Sequence, residues 1–413
     1  MNHTENPAPV PEPGTVVGPV EVGPVAHGGH CVARLHGRVI FVRHAIPGEV
    51  VTIRLTDTGK AKFWRGDVAE VISGSEHRVR PPCPVAGVCG GCDFQHVAPV
   101  HQLELKRRVV AEQLQRLAGI TWDGAVESVG EPLHWRSRMR YVTEIGLAGL
   151  HAHRSHEVVV LPEGGCRIAE DAGPDVETLH ALAREAQGRD LHVATADPVS
   201  AIAGTETLMG RRTVRERVDG TTFQVAADGF WQPHVRAPEV LTAAVLEALQ
   251  PRAGEVGLDL YCGVGLFAAA LVNQGVRVVG VEQDRRAAQF AARNVPEAEI
   301  ISGSLERSLH RLPHQVDLIV LDPPRTGAGS KVVTRLAGLG ARAIAYVACD
   351  PAALARDLAT FADLGWQPAG IRAFDLFPMT HHVECVALLR NPDATSGDAR
   401  AVTQVGILCA SRS

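Results

Sequence analysis

Val256-Gly-Leu-Asp-Leu-Tyr-Cys-Gly-Val-Gly265 is the stretch that decides the fold of this chain. Its first half, 256–260, is a short apolar run typical of a buried strand, and two glycines follow within five residues. Glycines at such a place let the backbone approach a ligand closely, and ligands collect at the carboxyl ends of these strands. The stretch therefore predicts a strand, a ligand-binding turn and the start of a helix.

Further apolar segments follow, with helical segments between them. They cover residues 276–281, 316–321, 343–347 and 385–389. Apolar strands that alternate with helices belong to a parallel sheet covered on both faces. We therefore predict a doubly wound, Rossmann-like α/β domain.

Two acidic residues end the second and third of these strands. Glu282 follows 276–281, and Asp322 opens Asp-Pro-Pro-Arg after 316–321. A carboxylate at the end of the second strand can accept hydrogen bonds from both ribose hydroxyls of an adenosine. A lone Gly-x-Gly turn also fits a dinucleotide. Three motifs at the ends of successive strands favour S-adenosylmethionine (SAM) over NAD, and so predict a class I SAM-dependent methyltransferase domain.

A thiol and a carboxylate lie near the end of the same domain. Cys349 follows strand 343–347, and Glu384 immediately precedes the last apolar strand. Carbon 5 of uracil is a weak nucleophile, but a thiolate that adds to carbon 6 makes an enolate that can attack a sulfonium methyl group. A base must then remove the carbon 5 proton. A lone cysteine is more often a small core residue, but together with the cofactor motifs this pair predicts catalytic roles.

Residues 15–72 have the pattern of a small β-barrel, with short β-branched runs between glycine turns. Between Arg34 and Arg80 there are nine Lys or Arg and five Asp or Glu, whereas the whole chain has a net charge of −5. This local bias is compatible with RNA contact and equally with an ordinary solvated surface.

The segment 73–220 carries a predicted helix, over roughly 101–117, and a basic strand. Alternation along that strand would place Arg136, Arg138 and Arg140 on one face. That face would either be solvated or contact phosphate groups.

The same segment contains a cysteine cluster. Cys83, Cys89 and Cys92 have the spacing C-x5-C-x2-C, while the other six cysteines are scattered. In a reducing compartment such clustering favours metal binding over disulfides. Cys166 is the candidate fourth ligand because the two glycines before it would allow close approach. Four thiolates suit either zinc or an iron–sulfur cluster, and the spacing leaves both open.

The C-terminal domain resembles the RNA 5-methyluridine methyltransferases. The matching motifs are Phe230-Trp-Gln-Pro233, Asp259-Leu-Tyr-Cys-Gly263, Gly280-Val-Glu282, Leu321-Asp-Pro-Pro-Arg-x-Gly327, Tyr346-Val-x-Cys-x-Pro351 and Phe377-Pro-x-Thr-x-His-Val-Glu384. The resemblance implies that Cys349 is the nucleophile and Glu384 the base. The SAM contacts that it implies come from Gln232, Tyr261, Glu282 and Asp322.

The N-terminal segment resembles a TRAM domain, an OB-like RNA-binding barrel. The cysteine cluster resembles the [4Fe-4S] site in the ribosomal-RNA branch of the same family. These likenesses imply a cluster on the four cysteines and 23S ribosomal RNA as the substrate, with tRNA as the nearest alternative. The chain departs from the family pattern at Asp350, Leu266 and His234, where asparagine is usual, and these positions affect the finer cofactor and uracil contacts.

These observations divide the chain into a disordered tail (1–14), a TRAM-like barrel (15–72), a central α+β domain with the cluster (73–220), a methyltransferase domain (221–391) and a C-terminal tail (392–413). No apolar run approaches the roughly 18 residues of a membrane helix, and no signal peptide is evident, which predicts a cytoplasmic protein. A monomer is the default expectation. The alternatives are an amino-group methyltransferase, suggested by Asp-Pro-Pro, and a non-catalytic RNA-binding protein with a retired methyltransferase domain.

Overall fold

The N-terminal part of the computed structural model, which describes residues 10–60 and 62–391, is a closed five-stranded barrel. Its strands, in the order β1-β2-β3-β5-β4, are β1 (Val16–Val25), β2 (Cys31–Leu35), β3 (Arg38–Arg43), β4 (Val50–Asp57) and β5 (Phe63–Ser73). Alternate apolar side chains such as Ile40, Val42 and Ile53 fill the interior. Closure leaves no open sheet edge, and the predicted barrel is confirmed.

A long helix connects the barrel to the rest of the chain. Helix α1 (Pro99–Ala118) begins with a proline, which suits the first helical turn because that position needs no N–H donor. Leu105 packs against the barrel core, and Leu114 packs against the C-terminal sheet. Strand β6 (Val126–Ser128) follows and pairs with that sheet. Residues within the predicted central segment therefore belong to the core of the C-terminal domain.

The central segment forms a six-stranded antiparallel sheet in the order β12-β11-β10-β7-β8-β9. Its strands are β7 (Arg138–Glu144), β8 (Leu147–His151), β9 (Val158–Val160), β10 (Leu191–Ala194), β11 (Ser200–Ala203) and β12 (Glu206–Met209), and helix α2 (Val176–Ala186) packs against it. A hairpin follows, made of β13 (Thr213–Val218) and β14 (Thr221–Ala226).

The three arginines of the basic strand have partners within the protein. Arg138 donates to Glu216 at 2.6 Å, and Arg140 pairs with Asp190. Arg136 precedes β7, and its Nε donates to the backbone carbonyl of Arg138. The strand therefore carries two of the three arginines predicted for it, and ion pairs within the fold engage both of them.

The C-terminal sheet has eight strands in the order β17-β16-β15-β18-β19-β21-β20-β6. The strands are β15 (Val256–Leu260), β16 (Arg277–Glu282), β17 (Glu299–Ser302), β18 (Leu318–Leu321), β19 (Ala343–Ala348), β20 (Gln367–Asp375) and β21 (Glu384–Arg390). The helices are α3 (Ala237–Leu249), α4 (Leu266–Asn273), α5 (Arg285–Asn294), α6 (Leu305–Ser308), which runs into a 3₁₀ turn (Leu309–Arg311), α7 (Ser330–Ala337) and α8 (Pro351–Asp363).

Strand direction in this sheet decides where the site lies. Strands β15 to β19 are parallel, so their carboxyl ends meet at one rim. Strand β21 is antiparallel to both β19 and β20, and it therefore begins at the rim where β19 ends. The order changes direction beside β15, which is where open α/β sheets bind ligands. The predicted α/β fold is confirmed.

The predicted tails fall mainly or wholly outside the described residues, and the domain boundaries stay predictions. No helix in the part of the chain that the structure describes is both long and apolar enough to span a membrane.

A buried ion pair fastens helix α1 to the sheet. Lys106 Nζ donates to Asp375 Oδ1 at 2.6 Å and to the carbonyl of Phe377 at 3.0 Å, and both side chains of the ion pair are almost fully buried. Burial lowers the pKa of Lys106, and the charge of Asp375 opposes that shift. Because Asp375 ends β20, this pair also fixes the start of the segment that leads to β21.

Lys106→Met is expected to lower the free energy of unfolding by about 3–5 kcal/mol, because Asp375 would be left buried without its partner. Urea unfolding followed by tryptophan fluorescence measures the loss. The double variant K106M/D375L removes both charges and is expected to recover most of the stability. A single variant as stable as the parent protein would contradict the importance of this pair.

Candidate active site

Three carboxylates from neighbouring strands meet at the rim of the sheet. Asp259 is the fourth residue of β15, Glu282 is the last residue of β16, and Asp322 follows β18 directly. Asp259 lies opposite Gly280 on one side and Val320 on the other, so the three residues come from adjacent strands. The rim motifs predicted from the sequence are therefore brought together.

Glu282 holds the turn after β15 in place. One carboxylate oxygen accepts from the backbone N–H of Gly263 at 2.8 Å, and the other accepts from Asp284 N–H at 2.7 Å. A carboxylate has about four acceptor sites, so two remain for the hydroxyl groups of a ribose. This geometry supports the predicted role of Glu282 in binding an adenosine.

Asp259 is completely buried and only half satisfied. Its Oδ2 accepts from Ala268 N–H at 2.7 Å, in the first turn of α4, whereas its Oδ1 is buried without a hydrogen-bond partner. Burial, with smaller contributions from Asp322 and Glu282, raises the pKa of Asp259 to about 8. Burial likewise raises the pKa of Asp322 to about 7. A cationic ligand would favour the ionised forms of both, so the rim suits a molecule with positive charge.

Tyr261 and Gln232 have less direct support. Tyr261 adopts a left-handed backbone with φ of 64°, which is rare for a bulky residue and occurs at functional sites. Burial raises the pKa of its hydroxyl group to about 12. Gln232 is a buried polar side chain between β14 and α3. Their cofactor contacts stay predictions.

Sheet register places the candidate nucleophile beside the candidate base. Ala348, the last residue of β19, lies opposite Cys385 in β21. Cys349 follows Ala348 directly, one residue past the end of β19, and Glu384 is the first residue of β21. The thiol and the carboxylate therefore come from adjacent strand ends at one rim, and the charge of Glu384 acts on the thiol.

Burial disfavours the charged form of both groups. Burial raises the pKa of Cys349 to about 12, and Glu384, Asp322 and Asp350 add to that shift, whereas Arg325 opposes it. Burial raises the pKa of Glu384 well above its ordinary value, Asp322 adds to the shift and Arg325 opposes it. Positive charge brought to the rim would therefore favour both the thiolate and the carboxylate.

The segment that carries the base is held by the N-terminal half of the chain. Asp93 and Phe94 both donate backbone N–H groups to the carbonyl of Met379 at 2.9 Å, and the N–H of Met379 donates to Gln102 at 3.0 Å. Asp93 also pairs with His381 Nδ1 at 2.6 Å. Burial raises the pKa of Asp93, but the hydrogen bond and the charge of His381 outweigh it and lower that pKa to about 2.

A second network holds the loop after Asp322. Asp357 of α8 accepts from the hydroxyl group of Tyr346 at 2.6 Å and from the N–H of Ala328 at 2.7 Å. Gly327 adopts φ of 87°, and a Cβ atom there would lie 2.7 Å from Asp357 Oδ2. Glycine is therefore required at this position of the motif.

The four predicted metal ligands line a single cavity, although two separate segments, 83–92 and the segment around Cys166, supply them. Cys83, Cys89, Cys92 and Cys166 surround it together with apolar side chains such as Leu150. Burial and the neighbouring thiols raise the pKa of Cys89 and of Cys166. In residues 10–60 and 62–391, no three His, Cys, Asp or Glu side chains are arranged so that they could hold a metal ion. The thiols thus share a cavity without the arrangement of a closed metal site.

Two of the unusual positions have structural roles. His234 is buried, its Nδ1 accepts from the N–H of Arg236 at 3.0 Å, and its ring stacks on Trp135 with centroids 5.5 Å apart. Burial lowers the pKa of His234 to about 4. Leu266 is the buried first residue of α4.

The sequence did not reveal the supporting residues Asp93, Gln102 and Lys106. Asp93 follows Cys92 directly, but nothing in the local pattern distinguishes it from a surface carboxylate. Gln102 and Lys106 look like polar positions of an amphipathic helix, yet both are buried.

This sheet order, with its antiparallel strand and its rim of carboxylates, defines a SAM-dependent methyltransferase. The sequence profile of tRNA (uracil-5-)-methyltransferases matches residues 177–392, and that of the TRAM domain matches residues 14–69. The chain belongs to this family of SAM-dependent RNA uracil-C5 methyltransferases.

Relatives match over nearly the whole chain. An uncharacterised RNA methyltransferase of Streptomyces avermitilis is 47% identical over 90% of this chain and 97% of its own length. A second, from Streptomyces coelicolor, is 46% identical over 92% and 95%. The solved structure of Pyrococcus abyssi tRNA (uracil-54, C5)-methyltransferase with S-adenosyl-L-homocysteine matches at a TM-score of 0.68 and 23% identity, over 90% of this chain and 99% of that one. At this identity the structural likeness shows the fold alone.

Proposed function

We propose that the protein forms 5-methyluridine at a specific uridine of 23S ribosomal RNA, with Cys349 as the nucleophile and Glu384 as the base. The observation that supports this mechanism is the register of β19 and β21: Ala348 lies opposite Cys385, so Cys349 and Glu384 come from adjacent strand ends at the rim. The uracil ring would enter at that rim, within reach of both groups.

The reaction proceeds in three steps. The thiolate of Cys349 adds to carbon 6, and the electron pair of the 5,6 double bond moves into an enolate. Carbon 5 then bonds to the methyl group of the sulfonium donor, whose carbon–sulfur bond breaks to leave a neutral thioether. Glu384 takes the proton from carbon 5, the 5,6 double bond re-forms, and the bond between Cys349 and carbon 6 breaks to restore the thiolate.

The residues proposed to hold SAM are Gln232, Tyr261, Glu282 and Asp322. Glu282 supplies acceptors for the ribose, and Asp322 offers a buried carboxylate to a cation. Asp259, with its unpaired buried oxygen, joins this set. SAM supplies the methyl group as an electrophile. Its sulfonium charge would favour the ionised forms of Asp259, Asp322 and Glu384, the carboxylates at this rim whose pKa is raised.

Ribosomal RNA as the substrate rests on the resemblance of the barrel and the cysteine cluster. Transfer RNA is the second candidate, because a solved tRNA (uracil-54, C5)-methyltransferase matches 90% of this chain, so the overall architecture is not confined to rRNA enzymes. The proposal includes a monomeric protein in the cytoplasm, where both RNAs are found.

Mass mapping of ribosomal and transfer RNA, from cells with and without this protein, tests the substrate. A single 5-methyluridine in 23S RNA should disappear in its absence and return when the gene is restored. Loss of a methyluridine in tRNA alone would replace the first candidate by the second. Unchanged RNA of both kinds would contradict the proposed activity.

We further propose that Cys83, Cys89, Cys92 and Cys166 bind a [4Fe-4S] cluster, with zinc as the alternative metal. Four thiols around one cavity match the ligand set of either. The N–H of Gly91 donates to Cys89 Sγ at 3.4 Å, and backbone donors of this kind tune iron–sulfur clusters. The cluster's proposed role is structural or in RNA binding, since the methyl transfer itself requires no electron.

Protein purified without oxygen is expected to absorb broadly in the visible region and to contain about four irons per chain. Cys166→Ser should lose most of this absorbance, because one ligand of four is removed. The matched control is Cys31→Ser in the barrel core, which removes a buried thiol outside the quartet. Colourless protein with one zinc per chain would select the alternative metal.

A further inference from the structure

A loop of the barrel reaches the segment that carries the proposed nucleophile. His27 lies between β1 and β2, and its Nε2 is 2.9 Å from Oδ2 of Asp350, 323 residues further along the chain. Asp350 follows Cys349 directly. The pair is partly exposed, with side-chain exposures of 41% for His27 and 22% for Asp350.

The same loop makes a second contact with the active-site rim. Gly29 adopts φ of 78°, and a Cβ atom at this position would lie 2.7 Å from the Cβ of His381. His381 belongs to the segment that precedes Glu384. The barrel loop therefore contacts both segments that carry the reacting groups, through His27 on one side and Gly29 on the other.

Asp350 caps a helix, but its charge disfavours ionisation of the neighbouring thiol. Its Oδ1 accepts from the N–H of Ala353 at 2.8 Å and so caps helix α8, which sets the backbone directly after Cys349. Its negative charge, however, disfavours a thiolate on the adjacent residue. Asparagine would cap the helix equally well without that charge.

We infer that His27 is a positioning residue for methyl transfer: it holds Asp350 in its capping geometry and neutralises the charge beside Cys349. The barrel then takes part in catalysis besides any contact with RNA. This inference rests on the proposed function, in which Cys349 must form a thiolate.

The charged groups that face His27 define its pH response. Its hydrogen bond to Asp350 raises the pKa of His27, burial lowers it, and the more distant Arg356 of α8 and Arg116 of α1 also lower it, with a net upward shift. His27 therefore keeps its positive charge to a higher pH than an unperturbed imidazole does. As the pH rises through the raised pKa, the compensation of Asp350 is lost.

Alkylation of Cys349 in the full-length protein tests this directly. Iodoacetamide is the probe, and the modified peptide is quantified by mass spectrometry. His27→Gln keeps a hydrogen-bond donor but cannot carry charge. It is expected to slow alkylation of Cys349 at pH 6.5 by about three- to tenfold, which corresponds to a pKa of the thiol that is higher by about 0.5 to 1. The ratio of parent to variant should approach one at a pH well above the raised pKa of His27, because the imidazole of the parent is then as uncharged as the glutamine that replaces it.

Asp350→Asn supplies the decisive background. It keeps the helix cap and removes the charge, so adding H27Q to it should change the alkylation rate less than about twofold. A defect of H27Q that persists undiminished in this background would mean that His27 acts by packing alone, and would overturn the inference. Equal alkylation of H27Q and the parent at pH 6.5 would also overturn it.

The second readout is the rate at which the purified protein methylates total RNA taken from cells that lack it. H27Q should lower this methylation rate in parallel with the alkylation rate. Alkylation needs no RNA, so it reports on the pair even if Cys349 were not the nucleophile. Failure of the proposed function would instead appear as full methylation by a Cys349→Ala variant.

Discussion

Replacing Cys349 with alanine is expected to lower the rate of RNA methylation by roughly 10⁴- to 10⁶-fold. Carbon 5 of uracil becomes nucleophilic only while sulfur is bonded to carbon 6, so removal of the thiol removes the reaction path and not merely a binding contact. Transfer of a radiolabelled methyl group from SAM to unmodified RNA measures the loss. Binding of SAM should be nearly unchanged, since the rim carboxylates remain.

Cys385 provides the matched control for this experiment. It neighbours Glu384 on β21, but it is fully buried in the core, and its position alternates to the other face of the sheet. Cys385→Ala should keep its methylation activity and lose only modest stability. If C349A retained activity, the reaction would resemble amino-group methylation, which needs no thiol, and the proposed mechanism would be wrong.

Replacing Glu384 with glutamine is expected to stall the enzyme on its RNA. Methyl transfer can still occur, but the carbon 5 proton is not removed, so the bond between Cys349 and carbon 6 cannot break. Turnover should fall by roughly 10²- to 10⁴-fold. A protein–RNA adduct that survives denaturing electrophoresis and contains the labelled methyl group should accumulate.

The fold should tolerate this change well. Burial raises the pKa of Glu384 well above its ordinary value and so disfavours its charged form, and glutamine has nearly the same shape and no charge. The double variant C349A/E384Q is the control, and it should form no adduct because the attacking sulfur is absent. Normal turnover by E384Q, or an adduct of equal yield in the double variant, would exclude the proposed base.

Much of the site could be predicted because its residues belong to short sequence motifs that directly follow predicted strands. Val256–Gly265 combines a buried strand with a glycine turn, and the structure places Asp259, Glu282 and Asp322 on adjacent strands of one rim. Apolar segments of strand length fixed the parallel sheet, since such segments must be covered on both faces. The short barrel strands could likewise be predicted, from their β-branched runs and the glycine turns between them.

Other parts were misleading or silent. Alternation placed Arg138 on a face that would either be solvated or contact phosphate groups, whereas the structure shows that it donates to Glu216, 78 residues away. The strand Val126–Ser128 was assigned by position to the central segment, yet it pairs with Ala373–Asp375 in the C-terminal sheet. The sequence around a strand does not indicate which distant strand it will pair with.

The sequence by itself determined the α/β sheet and the barrel, and it singled out Cys349 and Glu384 as candidates, because strand periodicity and turn chemistry act over neighbouring residues. Only the tertiary structure decided how those two groups are supported. The contacts Lys106–Asp375, Asp93–His381 and His27–Asp350 join residues 269, 288 and 323 positions apart. Such contacts depend on how the barrel, helix α1 and the sheet pack together, and the free energy of that packing has no local signature in the chain.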